Sequence, residues 1–351
     1  MSGVIGHMMY AILGGKAAEQ RRLPVVPLLN RYYASYLAGA YLGCDVQTLP
    51  AAICVDTGAP VGYGSQLPAH SPLTGGAVRP YHLIVDDKQY TPRQIHQLFY
   101  GRTHLSFGWS AAQQDHALPW NQVPDYLAAT IGDALRLFGP GHRQVAYILG
   151  WLTHVVGDNL IKSYQPGIDL ELLDGTYTPQ NRPIQDLVTF HGVGRQELGL
   201  SWEDLMADMA STPVEPVQFH YMRVAAPRGQ LAEQFPQHWR PEDARLLQAV
   251  FQENRRYQKI RNGRLLQQLA LRQLNGRWVC DEELSQRTGG LQYEEMVSLA
   301  KKADFRHALW QMGEAVADLM EKVVQRQPLL QEMPRDNGPG WKQLSSRWKK
   351  Q

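Results

Sequence analysis

The sequence predicts an all-α protein, a multi-helix bundle followed by a helical C-terminal region. Three observations point there. Apolar residues recur at helical spacing along most of the 351-residue chain. Alternating runs of β-branched residues, the mark of half-buried strands, are nearly absent. Apolar residues make up 44% of the chain and charged residues 19%, enough for a sizeable core and too apolar for disorder.

Taken in order, Val4–Gly14 reads as a short apolar helix closed by Gly14-Gly15, since glycine favours helix C-termini. Pro27–Leu42 carries apolar residues at helical spacing and begins with proline. Residues 57–92 are rich in Gly and Pro and read as a long loop, a length that in a compact domain serves function or motion. Thr91–Tyr100 follows, with Pro92 near its first turn. Asp125–Phe138 and His142–Tyr164 are the next helices, separated by Gly139-Pro140-Gly141. Pro183–Leu198 is another.

The pattern breaks at STPVEP, which sets an expected boundary near residues 200–215. Residues 1–200 form one helical domain on this reading, and residues 201–351 a helical region packed on it. In the rear part, Pro241–Asn262 and Tyr293–Arg326 read as long amphipathic helices. Gly276–Cys280 reads as a short extended piece, and the basic tail from residue 338 as frayed.

Charge separates the two parts. Residues 1–200 hold 13 basic and 14 acidic side chains; residues 201–351 hold 22 and 19. Nine of the twelve histidines lie in the front part, which is where chemistry is expected. The total of +2 argues against nucleic acid as a partner. Three cysteines, without CxxC spacing, fit a reducing compartment. No basic leader and no run of about 18 apolar residues is visible, so the expected location is cytoplasmic. Motifs for phosphate-binding loops, dinucleotide folds, nucleophile elbows and HExxH metalloproteases are missing.

The strongest local signal is GWLTHVVGDNLIK, residues 150–162. Four residues turn a helix by 400°, so His154 and Asp158 share one face, separated by about 6 Å of rise. Ile148, Trp151, Leu152, Val155 and Val156 surround them. A buried carboxylate there costs several kcal/mol unless paired, and a divalent cation supplies the pairing. The same spacing also suits a local hydrogen bond, so further ligands decide the matter. Polar residues in apolar surroundings are candidates: His7 beside Met8 and Met9, Asp45 after YLAGAYLGC, Asp56 after AAICV, His104 in GRTHLSFGW and His191 in DLVTFHGVG.

This order of residues resembles the zinc-dependent phospholipase C family, which includes related zinc nucleases that cleave single strands. The resemblance covers about residues 1–200, and GWxxHxxxD is its most specific part. It implies an all-α fold, two or three zinc ions in a cleft between helices, reduced here to an expectation of one to three by the departures below, and hydrolysis of a phosphoester by metal-activated water. Mn²⁺ or Fe²⁺ would suit the same ligands.

Carried over, His154 and Asp158 match the family's HxxxD pair, with Asp158 bridging two metals. His7 matches the N-terminal histidine ligand, and His104 the histidine between the first carboxylate and the HxxxD helix. Asp45 matches the first carboxylate, with Asp56 competing for that place; either would be ligand or general base. His191 would serve a further metal. Arg102 and Arg195 are the candidates for neutralising phosphate oxygens. The expected partner is a small-molecule or lipid phosphoester, with peripheral membrane contact in the lipid case. The sequence departs from the family in lacking an N-terminal Trp, a histidine soon after Asp158, and an HxxxE pair at His191. A zinc nuclease and a non-catalytic scaffold stapled by metal are the alternatives.

Overall fold

Helix dominates the computed structural model of the chain. It accounts for 70% of the described residues, against 9% for strand, so the all-α class holds. The described residues are 4–42, 49–61, 68–71, 74–95, 118–138, 142–160, 186–211, 229–236, 245–246, 248–250, 252–253, 256, 272–275, 277–279, 290–302 and 304–331.

Helix α1 spans Val4–Gln20 and runs straight through Gly14-Gly15, where the sequence predicts its end. The reason is tertiary. A Cβ on Gly14 would lie 2.6 Å from Cγ1 of Val316, so the glycine admits a neighbouring helix rather than stopping its own. The actual stop is Arg22 in the left-handed region (φ 55). There Leu23 N–H donates to Ala18 and Arg22 N–H to Glu19, the paired bonds of a Schellman end. Over residues 5–15 α1 is buried on all sides, with Ile5, Met8, Met9, Tyr10, Ile12 and Leu13 in the core, and only its last turn, with Lys16, Glu19 and Gln20, reaches solvent.

The single helix expected over Pro27–Leu42 is two. Helix α2 is Val26–Arg31 and α3 is Tyr33–Leu42, with Tyr32 between them leaving helical dihedrals (φ −112, ψ 39). The expected loop 57–92 instead contains sheet. Strands β1 (Ala52–Cys54), β2 (Pro60–Val61) and β3 (Val78–Pro80) form an antiparallel sheet in the order β2-β1-β3. Strands β4 (Leu83–Val85) and β5 (Lys88–Tyr90) form a hairpin. Its turn residues, Asp86 (φ 48) and Asp87 (φ 61), both take positive φ, as a type I′ turn requires. At the next helix start, Gln94 N–H donates to Thr91 Oγ1 (3.2 Å) and Thr91 N–H to Gln94 Oε1 (2.8 Å), a reciprocal cap.

Helix α4 is Val123–Phe138 and α5 is His142–Asn159, close to expectation. Within the predicted Pro183–Leu198 helix, residues 186–188 are α-helical and Thr189–Arg195 widens into a π-helix. Helix α6 is Trp202–Ser211 and α7 is Gln230–Gln234. Asp133 of α4, fully buried, accepts from the N–H groups of Gln230 and Leu231 (2.8 and 3.0 Å), anchoring the start of α7. Of Pro241–Asn262, only scattered positions between 245 and 256 are described, and they are helical. The extended piece is a hairpin of β6 (Arg272–Leu274) and β7 (Arg277–Val279). The tail from 338 lies outside the described residues.

The helix expected over Tyr293–Arg326 breaks into α8 (Tyr293–Lys302) and α9 (Phe305–Arg326), because Asp304 is left-handed (φ 50). A short α10 covers Pro328–Gln331. Helix α9 buries Phe305, Leu309, Met312, Val316, Met320 and Val323, one stripe at helical spacing. That stripe packs on α1 and α4 and reaches α5. Buried residues from before and after residue 200 therefore belong to one hydrophobic cluster. Arg21 at the end of α1 bridges Glu314 and Asp318 of α9.

The closest packing is between α3 and α5. Gly39 and Gly150 are the contact points, where each helix leaves no room for a side chain on the other. This brings the last turn of α3 against the middle of α5.

Candidate metal centre

Helix α5 presents His154 and Asp158 on one face, as their spacing requires. His7 reaches them from α1. The three side chains are 0%, 0% and 3% exposed, respectively. His7 Nε2 lies 3.4 Å from Asp158 Oδ1, and His154 Nε2 lies 3.7 Å from Asp158 Oδ2. The two imidazoles are stacked, with centroids 3.8 Å apart and planes 17° from parallel. One ligand atom from each residue falls within 4.8 Å of the others, the one such group among the described residues.

The helix packing fixes the chemistry of His154. Ala40 lies in the last turn of α3, where carbonyls lack an intrahelical N–H. Its oxygen is 2.8 Å from His154 Nδ1. A carbonyl only accepts, so Nδ1 carries the proton and donates. In the neutral ring Nε2 then holds its lone pair toward Asp158, the arrangement found in metal-ligating histidines. Tyr10 braces His7 edge-on, with centroids 5.5 Å apart. Gly157 makes room for that ring, since a Cβ there would lie 2.2 Å from Tyr10 Cδ2.

The donor set fits a small divalent ion. Two ligands of a tetrahedral zinc, each at about 2.1 Å, lie about 3.4 Å apart. The observed separations of 3.4 and 3.7 Å match that edge. A carboxylate and two imidazoles on apolar helices thus stand at ligand spacing, and one ring turning out of the stack brings both imidazole planes onto a shared ion.

The other predicted residues that the structure describes are not gathered here. His191 is buried in the π-helix, edge-on to Phe190 and to Tyr293, and does not join the group. Burial, with the nearby Arg195 cation, pushes its pKa down to about 4. Arg195 is exposed at the end of the π-helix. Glu197 is engaged by Arg306, whose Nε and Nη2 donate at 2.5 and 2.8 Å. Asp56 is exposed in the turn between β1 and β2, packed against Gly76 rather than against the histidines. Asp45, Arg102 and His104 lie outside the described residues.

Two supporting groups escaped sequence reading. One is the Ala40 carbonyl, which no side-chain pattern reveals. The other is Asp186, buried, whose Oδ1 accepts from Gly6 N–H (2.9 Å) and caps α1 one residue before His7. Its signal was present: an aspartate inside the apolar run PIQDLVTF needs a buried partner.

Among the described residues, no helix is long and apolar enough to cross a membrane. Comparison with protein-family models, curated proteins and solved structures gives no match.

Proposed function

We propose that the protein is a metal-dependent hydrolase of phosphoesters, with the metal held by His7, His154 and Asp158. The observation that carries this reading is the convergence of the three donors at ligand–ligand spacing. Zinc suits two imidazoles and a carboxylate, and Mn²⁺ or Fe²⁺ would bind the same set. Such an ion lowers the pKa of a coordinated water from 15.7 toward about 7 and polarises a phosphoryl oxygen. Around it, Ala40 orients His154, Tyr10 orients His7, and the apolar walls keep bulk water out. The substrate class, a small-molecule or lipid phosphoester, rests on the resemblance of residues 1–200. Val55 and Ile84, exposed apolar side chains of the sheet region, would serve contact with a lipid surface.

The test is metal content of the purified protein beside a His154→Ala, Asp158→Ala double variant. About one ion per chain in the parent and none in the variant is expected. Negligible metal in both overturns the centre. Hydrolysis of a chromogenic phosphodiester with Zn²⁺, Mn²⁺ and Fe²⁺ then tests the chemistry, and lipid-emulsion and single-stranded DNA assays divide the substrates.

One observation favours a second reading. His154 and Asp158 have no solvent exposure, as structural metal sites do. A metal that raises thermal stability without hydrolysis of any phosphoester would assign the protein as a metal-stapled helical scaffold.

A further inference from the structure

A second site lies away from the metal centre. A cavity of about 340 Å³ opens between the π-helix, α8 and the start of α9. Val193, Val297, Phe305 and Leu309 give it an apolar floor. Volumes of this size suit a small organic molecule. The π-helix shapes one wall. Gly192 faces the cavity, and a Cβ there would meet no atom within 4 Å. Single π-turns are frequent at functional sites.

Tyr293, the first residue of α8, also lines the cavity. It is 5% exposed, yet its phenolic oxygen has no hydrogen-bond partner among the described residues. Burial pushes its pKa up to about 12, so the hydroxyl keeps its proton at neutral pH. Buried hydroxyls are rarely left without an acceptor. Two cations border the same space. Arg306 is committed: it clasps Glu197 and lies beside Asp304. Lys301 is exposed and makes no ion pair among the described residues. The cavity therefore offers an apolar floor, one uncommitted ammonium and, just behind its lining, one dry phenol donor; of its two acids, Glu197 is clasped by Arg306 and Asp304 lies beside that same cation.

We propose that this cavity binds an apolar carboxylate, an alkyl or aryl acid, whose carboxylate accepts from the Tyr293 hydroxyl and pairs with Lys301. The proposal is independent of the metal centre and of phosphoester hydrolysis.

Calorimetric titration of the full chain with octanoate, octanol and octylamine tests it. Octanoate binds saturably, octanol more weakly, and octylamine not at all. Tyr293→Phe keeps the ring and lowers octanoate affinity about tenfold, the worth of a hydrogen bond to a charged acceptor. Gly192→Leu fills the cavity from its open wall and abolishes binding. Melting temperatures of both variants stay near the parent's. No saturable octanoate binding, octylamine binding as tight as octanoate, or parental affinity in Tyr293→Phe would overturn the proposal.

Discussion

Gly39 of α3 and Gly150 of α5 each lie directly against the backbone of the other's helix. A Cβ on Gly39 would lie 1.9 Å from the Tyr147 carbonyl oxygen, and one on Gly150 would lie 1.9 Å from that of Tyr36. Neither obstacle is a flexible side chain, so any substitution must move a helix. The Ala40–His154 hydrogen bond spans the same contact. Gly150→Ala should therefore destabilise the fold by about 3 kcal/mol or more, beyond ordinary overpacking. It should also weaken metal binding. Urea unfolding and metal titration of the variant measure both effects.

Chelation should lower the melting temperature of the parent protein. A ligand held only by the native state stabilises by about 2.7 kcal/mol at a hundredfold excess over its Kd. In Asp158→Asn the carboxylate is gone, and the chelator should leave the melting curve where it is. A chelator shift of equal size in both proteins would place the metal elsewhere.

His191 makes stability depend on pH. Its folded pKa is about 4, below the value of 6.5 for an exposed histidine. Between those values the unfolded chain takes up a proton that the folded chain refuses, so stability rises with pH. The contribution is complete above pH 6.5 and falls as pH drops toward 4, by up to about 3 kcal/mol. His191→Phe, which keeps the ring, should flatten this slope in denaturation curves measured from pH 4 to 7.

Asp133 and Asp186 both cap helices from a distance, with separable consequences. Asp133→Asn weakens the charged anchor of α7 and should cost about 2 kcal/mol with metal affinity unchanged. Asp186→Asn loosens the first turn of α1 beside His7 and should cost a similar amount while weakening metal binding as well. Paired urea unfolding and metal titration distinguish the two.

Helix positions with a clear apolar face were legible in the sequence: α4, α5 and the face of α5 bearing His154 and Asp158. Their periodicity is a property of the segment alone. Ends governed by contacts elsewhere were not. Gly14-Gly15 reads as a stop until Val316 is seen against it. The β4–β5 hairpin was missed because Asp86-Asp87 fills a turn that Asn-Gly usually signals. The break at Asp304 was missed because a left-handed aspartate leaves no mark on the apolar stripe of α9. Within the candidate centre, His7 joined through the packing of α1 on α5, a relation that local spacing does not encode. The acidic and histidine candidates at Asp56 and His191 shared the same apolar setting in sequence, yet one ends on a surface turn and the other under an aromatic cluster.

The seating of α9 on α1 sets a timetable for synthesis. Gly14 waits for Val316, and Arg21 waits for Glu314 and Asp318, about three hundred residues later along the chain. Long-range pairings of this kind form slowly, because the intervening chain must be closed first. On the ribosome, the helix that carries His7 emerges long before α9, so its apolar surface stays uncovered on that side until the later helix arrives. A chain halted before Phe305 would retain every ligand of the candidate centre and still lack the helix against which the far end of α1 packs.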